Sequence, residues 1–115
     1  MKDNNLRLKK IIKLSQKSEK KYRDGDFKGA IEEKIKIKVI LNEDPLDEKL
    51  LEKYKEHLSL LYSSKFDLIY DHKLKIDNSK KQSIIKLLEK KSEDKYRQGD
   101  YKGAIKALRR SEKYI

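Results

Sequence analysis

The sequence predicts an all-α protein of antiparallel helical hairpins, five to six helices in all, stacked as a short solenoid or gathered into a compact bundle. Three observations predict it. The phrase Tyr22-Arg23-Asp24-Gly25-Asp26-Phe27-Lys28-Gly29-Ala30-Ile31 returns 74 residues later as Tyr96-Arg97-Gln98-Gly99-Asp100-Tyr101-Lys102-Gly103-Ala104-Ile105, identical at eight of ten positions. Apolar residues recur three and four apart through most of the chain, the spacing of one helix face. The composition is 44% charged with a single Pro, which suits exposed charged helices rather than a sheet. With 115 residues, the chain is expected to form a single domain, 1–115, around a thin core.

The first helix is expected from Leu6 to Asp24, with Leu8, Ile11, Ile12, Ser15, Ser18 and Tyr22 inward and Lys9, Lys10, Lys13, Lys17 and Lys20 on the polar side. Gly25 ends it in the left-handed conformation, and Asp26 is placed to accept from the first amides of the next helix. That helix runs from Phe27 to about Leu41, carrying Ala30, Ile31, Ile35, Ile40 and Leu41, although Ile35 to Val39 alternates with period two and would read as a strand in isolation. Asn42-Glu43-Asp44-Pro45 is read as the next helix start, with Asp44 the N-cap and Pro45 at the first helical position. Leu46, Leu50, Leu51, Tyr54, Leu58, Leu61 and Tyr62 then fall on one face.

Phe66, Ile69, Tyr70, Lys73, Leu74 and Ile76 are expected either to form a further short helix or to continue the same one. Ser79 and Gln82 have capping-box spacing. From Lys80 to Gln98 the inward set is Ile84, Ile85, Leu87, Leu88, Ser92 and Tyr96, and Tyr101 to Tyr114 closes the chain with Ala104, Ile105, Leu108 and Tyr114 inward. Phe66 stands 39 residues after Phe27 and 35 before Tyr101, so a degenerate middle hairpin is expected. The hairpins then span about 6–41, 45–77 and 80–114.

Ser18, Tyr22, Gly25, Asp26, Phe27 and Ala30, with Ser92, Tyr96, Gly99, Asp100, Tyr101 and Ala104 in the second copy, resemble the tetratricopeptide repeat. Leu14 and Leu88 match a large apolar position of its first helix. The resemblance covers roughly 30 residues in each copy and implies stacked hairpins and a protein-binding surface. Lys17, Lys21, Lys91 and Lys95 stand where the family places Leu and an aromatic, which implies either incomplete stacking or a compact bundle in place of a regular superhelix. Lys34 occupies an aromatic position that Leu108 fills in the second copy. Glu19 and Glu93 replace an Asn used by members that clamp acidic C-terminal tails, so that clamp is not implied. The three-helix microtubule-interacting-and-trafficking domain has similar turns but does not account for the second copy.

The chain carries 26 Lys and 5 Arg and a net charge of +11, unevenly spread: residues 1–23 sum to +7, 42–72 to −4, 80–97 to +4 and 102–115 to +4. Three readings suit this pattern: a solvated surface shaped by codon bias, pairing of unlike segments within or between copies, and an anion-binding face. There is no Cys, and Met1 to Ile12 holds no apolar run of signal-peptide or membrane length, so a cytoplasmic chain without membrane insertion is expected.

No catalytic, cofactor or metal site is expected. His57 and His72 are read as ordinary helix-surface residues, Asp24 and Asp26 as helix-end groups, and Gly29 and Gly103 as points of close helix approach rather than parts of a phosphate loop. The expected function is a non-catalytic protein-interaction module in which Lys17, Lys21, Arg23, Lys91, Lys95 and Arg97 engage an acidic protein segment. The alternative is a basic binder of single-stranded RNA or DNA, with lysines on phosphates and exposed tyrosines stacked on bases. Self-association is compatible with either.

Overall fold

The computed structural model describes residues 4–62 and 77–115, and among them every regular element is helical. Five α-helices follow in order: α1 (Asn4–Arg23), α2 (Phe27–Glu43), α3 (Glu48–Tyr62), α4 (Asn78–Arg97) and α5 (Tyr101–Ser111), with a closing 3-10 turn at Glu112–Tyr114. The chain divides into two compact units, Met1–Ser63 and Ser64–Ile115. Phe66, His72 and the second half of the expected middle hairpin lie outside the described residues.

In the first unit the hairpin turn does what its residues dictate. Gly25 sits at φ +85°, where a side chain would be strained. That geometry lets Gly25 N–H reach the Tyr22 carbonyl at 3.2 Å and Asp26 N–H the Lys21 carbonyl at 2.8 Å, the paired bonds of a Schellman end. Asp26 then caps α2, its carboxylate accepting from Gly29 N–H at 3.0 Å. One residue therefore closes one helix and opens the next. The second unit repeats the device, with Gly99 at φ +82° and Asp100 accepting from Gly103 N–H at 2.9 Å.

At Gly29 and Gly103 the nearest obstacle to a side chain is the cap: a Cβ at either position would overlap the capping carboxylate of Asp26 or Asp100, and at Gly103 it would also meet Lys95 Cδ of α4 at 3.0 Å. Their lack of a side chain makes room for the cap itself.

Ser18 and Ser92 hold each hairpin together. Ser18 Oγ donates to the Ala30 carbonyl at 2.9 Å and Ser92 Oγ to the Ala104 carbonyl at 2.8 Å, so small residues on both sides draw the helices close and satisfy the buried hydroxyl. Tyr22 meets Phe27 edge to face at 5.5 Å, and Tyr96 meets Tyr101 at 5.1 Å, sealing the turn end.

α1 is the axis of the first unit, packing against both α2 and α3. Arg7, near its start, pairs with Asp44 and reaches the Pro45 carbonyl at 3.4 Å, while Arg23, at its end, reaches the Leu61 carbonyl at 3.4 Å. These contacts set α3 parallel to α1. The core comprises Leu8 and Ile11 of α1, Ala30, Ile31 and Ile37 of α2, and Leu50, Tyr54, Leu58 and Tyr62 of α3. Among the described residues of the second unit, the buried apolar ones are Ala104, Ile105, Ala107 and Leu108 of α5.

Several expectations are corrected. Ile35 is 48% exposed, and Ile37 takes the inward place because it follows Ala30 and Glu33 around the helix. The period-two stretch is helical throughout. Asp44 closes α2, its N–H bonded to the Ile40 carbonyl, and α3 opens at Glu48 with Asp47 accepting from Leu50 N–H at 2.9 Å. Arg7 pairs with the Asp44 carboxylate, while Asp47, directly before α3, caps it. At α4 the cap is Asp77, which accepts from Ser79 and Lys80 N–H, rather than Ser79. Leu87 is 68% exposed, and α5 gives way to a 3-10 turn after Ser111.

Candidate interaction faces

Lys17, Lys21 and Arg23 lie on α1, and Lys91, Lys95 and Arg97 at the matching places on α4. Four of the six are engaged within their own unit. Lys21 Nζ binds Glu33 Oε1 at 3.1 Å, and Arg23 pairs with Glu19 at 3.4 Å. Lys95 pairs with Asp100 at 3.6 Å and Arg97 with Glu93 at 2.7 Å. Lys17 and Lys91 are exposed and have no side-chain partner among the described residues.

Lys21 and Lys36 share one oxygen of Glu33, whose side chain is only 4% exposed. Burial pushes the Glu33 carboxyl up, but the hydrogen bonds and charges of the two lysines outweigh it and hold the group below its ordinary value. The Glu33 bond in turn raises Lys21 above its ordinary value. Lys34, at the position the resemblance assigns to an aromatic, is buried with Nζ 2.7 Å from the Tyr62 hydroxyl and 5.4 Å from the ring centroid. The ammonium therefore sits beyond the hydroxyl rather than over the ring face, and the hydrogen bond carries the contact.

The charges left without partners gather elsewhere. Lys9, Lys10, Lys13, Lys17 and Lys20 are all exposed, and none has a side-chain partner among the described residues. At 100° per residue they occupy an arc of about 100°, roughly 16 Å long, opposite the buried Ile11, Ser15 and Ser18 side. The single acidic residue of α1, Glu19, is buried and paired to Arg23. The sequence placed these lysines on the polar side; that no carboxylate among the described residues answers them depends on the fold.

The solvent side of α2 differs. Ile35 and Val39, 48% and 52% exposed and one turn apart, lie amid Lys28, Glu32 and Asn42. Grouping Ile35 with Ala30, Ile31, Ile40 and Leu41 left this pair unseen at the sequence level. On α3, His57 is half-buried rather than a plain surface residue, and burial lowers its imidazole below its ordinary value. No group of three or more His, Cys, Asp or Glu among the described residues is arranged to hold a metal ion. No described helix is long and apolar enough to cross a membrane.

Comparison with protein-family models, with curated proteins and with solved structures finds no match for this chain.

Proposed function

We propose that this chain is a non-catalytic protein-interaction module built from tetratricopeptide-like helical hairpins. Two hairpins sharing one turn chemistry and one Ser-to-carbonyl bond support the repeat reading, as does α3 running parallel to α1 beside the first hairpin. The observation that carries the binding reading is the pair Ile35 and Val39. Two β-branched apolar side chains at the centre of a helix face, rimmed by charged and amide groups, match the apolar core and polar rim of a protein interface. The charged rim then steers and orients the partner. This moves the protein-binding face from the six basic residues, four of which are spent on internal pairs, to α2.

Because both side chains are exposed, Ile35→Gln with Val39→Gln keeps the helix and removes the apolar centre. Crosslinking in the native cell is expected to join the wild-type chain to a discrete set of proteins that the double variant loses. An unchanged set of crosslinked proteins would count against this face.

A further inference from the structure

The lysine arc on α1 has a different chemistry from the face on α2, and we propose that it binds the phosphate backbone of double-stranded DNA without reading sequence. Five ammonium groups stand within about 16 Å of helix, and a DNA duplex carries one negative charge per about 1.7 Å of axis, so that length of duplex offers more phosphates than there are lysines. The five positions of the arc are all lysine, with no Arg fork among them, and the exposed amide beside them, Gln16, lies about 20° outside the arc.

Other polyanions fit less well. A protein interface is depleted in Lys and needs desolvated apolar anchors, and the one exposed apolar residue of α1 is Leu6 at its start. A membrane-surface helix inserts its apolar side among the lipids, but that side of α1 is covered by α2 and α3. Single-stranded nucleic acid is held by exposed aromatic platforms, and no described tyrosine is exposed: Tyr22 and Tyr96 abut Phe27 and Tyr101, while Tyr54 and Tyr62 are buried. Duplex RNA is recognised largely through its 2′-hydroxyls across the minor groove, for which a row of ammonium groups offers no selective partner.

The internal repeat supplies a control. Residues that build the hairpin recur in the second copy, whereas Lys9, Lys10, Lys13 and Lys20 correspond to Ser83, Ile84, Leu87 and Asp94, and only Lys17 recurs, as Lys91. The second hairpin forms without the arc. The lysines are therefore not required to build this structure, and codon bias acting on the whole chain does not explain their concentration on one face of α1.

The test measures affinity for a mixed-sequence 20-base-pair DNA duplex between 50 and 200 mM salt. Five phosphate contacts predict a slope of log affinity against log salt between about −4 and −5, hence about a 500-fold loss across that range. Lys13→Gln and Lys17→Gln are each expected to reduce the slope by about 0.9, and Gln at all five positions to bring it close to zero. Lys49→Gln with Lys53→Gln, exposed on α3 beside Glu48 and Glu52, is expected to leave it unchanged. The single substitutions decide the matter even if the fivefold variant does not fold. No duplex binding at 50 mM salt overturns the proposal, as does a slope that ignores the α1 substitutions. So does equal or tighter α1-dependent binding of the single strand, duplex RNA, polyglutamate or vesicles containing 30% phosphatidylserine.

Discussion

Two serines three residues apart on α1 show how much one hydrogen bond decides. Both are buried, but Ser18 Oγ has the Ala30 carbonyl, whereas Ser15 Oγ has no hydrogen-bond partner among the described residues. Ser18→Ala removes a satisfied bond and is expected to cost about 1 kcal/mol, while Ser15→Ala removes an unsatisfied hydroxyl and is expected to gain about the same. Urea unfolding reads both, and equal signs would contradict the assignment. Glu33 makes a second residue-scale case. Its carboxyl is held below the ordinary 4.5, so its contribution is present above that value and is lost as pH falls through the lowered one. Glu33→Gln is expected to cost about 1–2 kcal/mol at pH 7, less than a fully buried pair because the side chain of Lys21 is 36% exposed. The difference between variant and wild type is expected to shrink as pH falls below 4.5 and to close once the lowered value is passed, in the same unfolding measurement. Lys21, raised above 10.5, loses its share only at more alkaline pH, which leaves the neutral range untouched.

At the scale of the element, the three-residue link between α1 and α2 is where local chemistry is strongest. Gly29→Ala ordinarily favours a helix by about 1 kcal/mol, but here the added methyl displaces the Asp26 carboxylate and loses a cap of similar size. The substitution is therefore expected to be neutral or destabilising in the wild type and stabilising by about 1 kcal/mol in an Asp26→Ala background, a change of sign that a double-mutant cycle in urea detects. This same link was legible in the sequence, because Gly25, Asp26, Gly99 and Asp100 act on backbone groups within five residues of themselves. The start of α3 was less so. Asp44 and Asp47 flank Pro45 as alternative caps, and the structure uses Asp47 while Arg7, 37 residues away, pairs with Asp44, a contact that no local pattern shows. Likewise Ile35 and Ile37 are alternatives in a period-two stretch until α1 and α3 fix which side of α2 is covered.

At the scale of the whole molecule, charge segregation was visible as a sum over residues 1–23, yet its distribution was not. Four of the six expected binding residues are neutralised by Glu33, Glu19, Asp100 and Glu93, and two of those pairs span different helices or a helix and its neighbouring turn. What remains is an arc of lysines on α1 that no carboxylate among the described residues compensates and an apolar pair on α2, two faces of one unit with unlike chemistry. On this account the chain joins a protein to duplex DNA, and each face acts through its own helix. The most direct measurement places a photo-crosslinking residue at Lys13 in one version of the chain and at Val39 in another, both in the native cell. The account predicts double-stranded DNA adducts from position 13 and protein adducts from position 39; protein alone at both positions, or no adduct at either, would contradict it.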